Sequence, residues 1–289
     1  MSSDRAALAP ATAPPRRAFV LLGAAHPAPA LLVAAVVTAL AVSCGRAPFG
    51  CLAVGTATLA GQLSIGWCND RVDLARDRAA GRRDKPLARG ELAPRTVATA
   101  ALVALLACVP LSLAAGLAAG AAHLTGVAAG WAYNLRLKRT PLSWLPYAVA
   151  FGLLPAFVTL GLPSHPWPPA WATAAGALLG LGAHTANVLP DIDADLAAGV
   201  RGLPQRMGAR WSRAVTGCSL ATASAVLLLG PPGSPGPAAL TALALTVALS
   251  AGAAVLPGTD GRRLPFLAVL AVAAIDVILL VGHGAVLAP

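Results

Sequence analysis

The feature that most constrains this chain of 289 residues is the length of its apolar runs. A bilayer's hydrocarbon core requires about 20 consecutive apolar residues of a spanning helix. Nine segments meet that need, at 19–43, 48–68, 94–115, 118–135, 142–162, 169–190, 212–230, 237–256 and 264–286. Only 11% of the residues are charged, against roughly 25% in a soluble domain. The alternating strands of a membrane barrel are absent, so closed helices must satisfy the backbone in lipid. The expected fold class is an all-α membrane protein of nine transmembrane helices. Many spans are rich in Ala and Gly, which lets helices approach closely. Pro27, Pro110, Pro146 and Pro155 fall inside spans and predict kinks.

Charge sets the orientation. The formal net charge is +10, but the basic residues sit between apolar runs without an aromatic-basic module, which argues against nucleic acid. Of the 21 Lys and Arg residues, all but Arg46 fall on one side when the nine spans alternate. The positive-inside rule assigns that side to the cytoplasm and the C-terminus to the outside. Residues 1–17, rich in Ala and Pro and ending in Arg16-Arg17, read as a disordered cytoplasmic tail, and 18–289 as one membrane domain. Five cysteines lie in or beside apolar segments without CxxC spacing and read as small hydrophobes.

The acidic residues are few and concentrated. Of 11 in the chain, Asp70, Asp73, Asp77, Asp84 and Glu91 follow the second span, and Asp191, Asp193 and Asp195 follow the sixth. Topology gives no reason for this, since acids contribute little to orientation. Asn69, Asp73 and Asp77 are spaced i, i+4, i+8, which places them on one helical face over about 12 Å. Asp191 and Asp195 repeat the i, i+4 step. Hard oxygen ligands of this kind suit Mg2+, which is usually held by one or two carboxylates together with substrate phosphates. Arg82 and Lys85 follow the first cluster, Lys138 ends the fourth span and Arg201 follows the second cluster, and such cations can clamp phosphate.

Together these segments resemble the UbiA superfamily of intramembrane prenyltransferases. Asn69-Asp-x-x-Asp73-x-x-x-Asp77 and Asp191-Ile-Asp-Ala-Asp195 are similar to its two signature motifs. Arg82…Lys85-Pro86-Leu87 resembles the segment after the first. Tyr133-Asn-Leu-Arg-Leu-Lys138-Arg139 resembles the end of its fourth helix, and Asp195-Leu-Ala-Ala-Gly199-Val-Arg201-Gly-Leu203-Pro204 the continuation after the second motif. The resemblance covers essentially residues 18–286. It implies nine helices around a central cavity under a cytoplasmic cap, and Mg2+-dependent transfer of a prenyl group from an isoprenoid diphosphate to a lipophilic acceptor: an aromatic, a quinone precursor or a lipid.

In that reading Asn69, Asp73 and Asp77 hold one magnesium and Asp191 and Asp195 the other. Arg82, Lys85, Lys138 and Arg201 bind diphosphate, and Tyr133 faces the allylic cation. Two positions depart from the family pattern. Lys85 stands where Arg is common, and His26-Pro27 stands where members acting on aromatic carboxylic acids carry Arg before Pro. His26, His184, Asn187 and Asp276 are left without assigned roles. The same motifs would serve a membrane terpene cyclase, and a non-catalytic isoprenoid-binding or transport protein is a further alternative.

Overall fold

The computed structural model describes residues 17–255 and 263–287. Most of the expected N-terminal tail, and Arg262, lie outside them. The regular structure among the described residues is all helical, with no strand among them. The helices are α1 (Arg17–Gly23), α2 (Pro27–Ser43), α3 (Pro48–Ala79), α4 (Pro94–Ala114), α5 (Leu117–Leu135), α6 (Leu145–Gly152) and α7 (Leu154–Thr159). They continue with α8 (Ala170–Val188), α9 (Ile192–Ala197), α10 (Leu203–Leu229), α11 (Pro237–Val255), α12 (Arg263–Gly282) and α13 (Gly284–Leu287).

Proline opens several of these helices, because its ring presets φ and its missing N–H is one that a first turn leaves unpaired anyway. Pro27, Pro48 and Pro94 begin α2, α3 and α4 in this way. At the first, His26 takes a left-handed conformation (φ 53°), and α1 meets α2 at a 70° bend. Pro155 similarly follows the break between α6 and α7. Pro110 lies within α4, which continues through it, and Pro146 falls in the first turn of α6. A kink that no proline announces sits at Gly208 in α10, where φ is 75°.

Each expected apolar segment coincides with helix. Among the described residues, however, three helices are long and apolar enough to cross a membrane as single elements: α3, α4 and α10. The bent pair α1–α2 makes a fourth if taken as one span. Breaks at His26 and Leu153 account for part of the difference, since they divide apolar runs into shorter helices. The outward surface is apolar: Leu32, Phe49, Leu106, Leu117 and Ile278 are each at least 60% exposed, which suits lipid rather than water.

The helices pack broadly in chain order and the ring closes. α3 lies against α2, α4 and α5, α8 lies between α6 and α10, and α12 and α13 return to α2. Close packing depends on missing side chains. A Cβ on Gly66 would sit 2.3 Å from the Ala25 carbonyl oxygen, and one on Gly180 2.4 Å from that of Tyr147. Arg46, the basic residue set apart by the charge pattern, reaches three main-chain carbonyls. Its guanidinium donates to Ala115 O at 2.7 Å, Val158 O at 2.9 Å and Phe157 O at 3.3 Å, at the ends of α4 and α7. Such C-terminal carbonyls have no partner within their own helices.

Candidate functional site

α3 does not stop where its apolar run ends. It continues to Ala79, so Asn69, Asp73 and Asp77 lie on its last turns and the irregular connection begins only at Ala80. Asp73 and Asp77 are buried and Asn69 is half-buried. Asp70, read from sequence only as part of the acidic group, is buried beside them. Asp191 and Asp195 lie on a different kind of support. α8 gives way at Pro190 to a 3-10 turn, Leu189–Asp191, and α9 then carries Asp195 one turn beyond Asp191. Both carboxylates are half-buried.

Basic side chains tie the carboxylates into one network. Lys138, 5% exposed, donates to Asp73 Oδ1. Arg76 donates to Asp73 Oδ2 at 2.8 Å and to Asp195 Oδ1 at 3.0 Å, so one guanidinium joins the two acidic clusters. Lys85, 7% exposed, donates to Asp77 Oδ2 at 2.9 Å and lies 3.0 Å from Asp70 Oδ1. Arg82 pairs with Asp84 through two bonds of 2.9 Å and approaches Asp191 Oδ1 at 3.7 Å. Gln205, from the first turns of α10, donates to Asp195 Oδ2 at 2.8 Å. Arg201 is exposed and makes no ion pair among the described residues. His26 Nε2 lies 3.0 Å from Asp70 Oδ1, so the bend between α1 and α2 is anchored to the same network.

These contacts set proton affinities as expected for buried pairs. Burial alone would lower the Lys85 amine, but Asp77 and Asp70 more than offset it and hold it above its ordinary value. Burial raises Asp195, with Gln205 and Arg76 pulling the other way. The Arg82 hydrogen bond brings Asp84 down to about 2.

Among the described residues, no three His, Cys, Asp or Glu side chains converge as a ready-made metal cage. The donor chemistry nevertheless fits Mg2+. The oxygens are hard, they come from two facing supports, and magnesium ordinarily completes its shell with waters and substrate phosphates rather than an all-protein cage. The cationic partners occupy positions that a diphosphate's charge would also satisfy.

Aromatic side chains are grouped on the elements next to this network. Tyr133, half-buried near the end of α5, meets Tyr147 edge-on at 5.2 Å and His184 edge-on at 5.7 Å. Tyr147 in turn stacks with Phe151 at 6.4 Å. His184 Nε2 lies 3.0 Å from Ser143 Oγ, which also accepts the Leu203 N–H at 2.9 Å. Beyond Phe151 an apolar cavity opens between α2, α3, α5 and α6–α7.

An all-helical bundle with an apolar outer surface fits an integral membrane protein. A model of the UbiA prenyltransferase family matches residues 28–263; the chain belongs to that family. Several solved structures share its fold. A UbiA homologue from Archaeoglobus fulgidus with GPP and Mg2+ bound is 15% identical, with a TM-score of 0.66 over 91% of this chain and 99% of that one. A digeranylgeranylglyceryl phosphate synthase is 14% identical, with a TM-score of 0.69 over 93% of this chain and 99% of the other. An apo UbiA homologue from Aeropyrum pernix K1 is 15% identical, with a TM-score of 0.63 over 91% and 98%. No curated protein matches the chain.

Proposed function

We propose that the protein transfers a prenyl group from an isoprenoid diphosphate to a lipophilic acceptor, an aromatic, a quinone precursor or a lipid, within the membrane. The observation that carries this is the Arg76 bridge between Asp73 and Asp195, which makes one charged site of two acidic clusters in a bundle that also holds an apolar cavity. Family membership and the GPP- and Mg2+-bound A. fulgidus homologue support the same chemistry.

Asn69, Asp73 and Asp77 would hold one Mg2+, and Asp191 and Asp195 a second. Bound there, magnesium supplies positive charge against the diphosphate leaving group. Lys85 and Lys138, already buried and ion-paired, turn to phosphate oxygens, and Arg82 and Arg201 close on the same group from outside. Each places charge where the departing oxygen becomes anionic. Tyr133 presents a π-face to the allylic carbon as it turns cationic. The apolar helices keep water from the cation, which would otherwise be lost as an alcohol.

The remaining assignments belong to the same proposal. Nine spans cross the bilayer, with α1–α2 and α6–α7 each acting as one broken span. The N-terminus and the acidic clusters face the cytoplasm, where the connections after α3 and α8 cap the cavity, and the C-terminus lies outside. Replacing Asp73 or Asp191 with Asn should reduce Mg2+-dependent turnover of a prenyl diphosphate by about 10^2–10^3-fold, with membrane insertion unchanged. Full turnover in both variants would refute the assignment of these carboxylates.

A further inference from the structure

Arg76 belongs to neither motif, being one of the unspecified residues between Asp73 and Asp77. It is nevertheless the side chain that holds the two acidic clusters together. Its Nη2 donates to Asp73 Oδ2 at 2.8 Å and its Nη1 to Asp195 Oδ1 at 3.0 Å, while Nε lies 4.0 Å from Asp77 Oδ1. One guanidinium thus faces three of the carboxylates assigned to magnesium. The other oxygens of these groups are engaged as well. Lys138 donates to Asp73 Oδ1, Lys85 to Asp77 Oδ2 and Gln205 to Asp195 Oδ2. Asp73 and Asp195 therefore have both oxygens committed to protein donors, and on each of them one donor is Arg76.

A site filled in this way opposes a further cation, because like charges a few ångströms apart in a part-buried setting repel strongly. The guanidinium has to withdraw before Asp73 and Asp195 can ligate a metal. Among the three cations that hold these carboxylates, Arg76 has the most room to do so. Its side chain is 27% exposed, against 9% for Lys85 and 5% for Lys138. Withdrawal into water alone would leave two carboxylates without their partner, which is costly in a buried site. An anionic ligand removes that cost, since the planar guanidinium fork fits phosphate oxygens as well as carboxylate oxygens.

We propose that Arg76 is an interlock between diphosphate and metal: its guanidinium leaves Asp73 and Asp195 for oxygens of the diphosphate, and by leaving frees both carboxylates for Mg2+. The inference rests on the reading of the protein as a prenyltransferase that takes an isoprenoid diphosphate. It adds a coupling between the two ligands that is reciprocal, as any coupling of binding free energies must be. The empty site takes up Mg2+ weakly, because Arg76 occupies its carboxylates, and firmly once diphosphate has drawn Arg76 away.

Calorimetric titration of the purified full chain in detergent tests this with two probes: Mg2+ alone, and dimethylallyl diphosphate in the presence of EDTA. Arg76→Met should bind Mg2+ alone about tenfold more tightly than the unaltered protein, and the metal-free diphosphate about tenfold more weakly. The opposite signs separate an interlock from a structural strut, whose loss would loosen the clusters and weaken both. Arg76→Gln, which keeps an N–H donor and removes the charge, should follow Arg76→Met and decides the matter should that variant fail to fold. Arg76→Lys retains the charge and should keep Mg2+ binding weak. Arg83→Met, which removes an exposed charge from the connection after α3, should alter each affinity by less than about twofold. A fall in Mg2+ affinity in the neutral Arg76 variants, or a diphosphate affinity that stays unchanged in them, overturns the interlock. Failure of the unaltered protein to bind dimethylallyl diphosphate even with Mg2+ would instead overturn the transferase reading beneath it.

Discussion

At the scale of single residues, the site is a balance of charges whose members hold one another in place. Lys85 is the clearest case, a buried amine between Asp70 and Asp77. Because its proton affinity is raised in the folded protein, the stability it contributes is fully present below the amine's ordinary value. It is lost as pH climbs through the higher folded value, above about 10. Lys85→Met should therefore lower the melting temperature at pH 7 and pH 9 alike, and the gap to the parent protein should narrow only near pH 11. A thermal melt in detergent across that range checks this. Asp73 and Asp77 were legible from sequence because their spacing fixes a shared helical face. Arg76 was not, since a basic residue after a span reads as an orientation signal. Only packing brings its guanidinium across to Asp195 on a segment more than a hundred residues away. Asp70 was seen but not singled out. It falls off the i, i+4, i+8 series, and its partners His26 and Lys85 come from other segments.

The elements show why some helix ends were readable and others were not. Pro27 was read as a kink inside a span and stands at the break between α1 and α2, while Pro48 and Pro94 open α3 and α4 where their apolar runs begin. The kink at Gly208 was invisible, since an isolated glycine in a helical stretch is usually tolerated. Asp276 in α12 finds a partner in Ser224 of α10, which donates to it at 2.6 Å and so ties the two helices together. Gly66 marks a position where α3 lies against the turn after α1, with the Ala25 carbonyl occupying the space of a side chain. Both contacting groups are backbone, so neither can swing aside. Gly66→Ala should destabilise the protein by about 1–3 kcal/mol, the usual cost of overpacking. Because the displaced turn carries His26, it should also weaken Mg2+-dependent diphosphate binding. Gly23→Ala, with open space around it, should do neither. Melting curves with and without ligand distinguish the two substitutions.

For the molecule as a whole, the distribution of Lys and Arg argues for an orientation that the packing of helices by itself does not assign. If the acidic clusters face the cytoplasm, a cysteine placed at Ser164, between α7 and α8, should react with a membrane-impermeant maleimide in intact cells. One placed at Arg83 should react only after permeabilisation. The bundle's all-helical character was open to inspection in the sequence because long apolar runs leave few alternatives. The broken spans were only partly so, since a kink depends on which neighbouring helix receives the chain. The central claim concerns what the joined acidic clusters do. Its most direct test is product analysis after incubating the purified protein with labelled dimethylallyl diphosphate, Mg2+ and a panel of lipophilic acceptors. The expected result is a prenylated acceptor formed with one equivalent of diphosphate, abolished by chelation of the metal. A Mg2+-dependent hydrocarbon formed without any acceptor, or no consumption of the diphosphate at all, would contradict it.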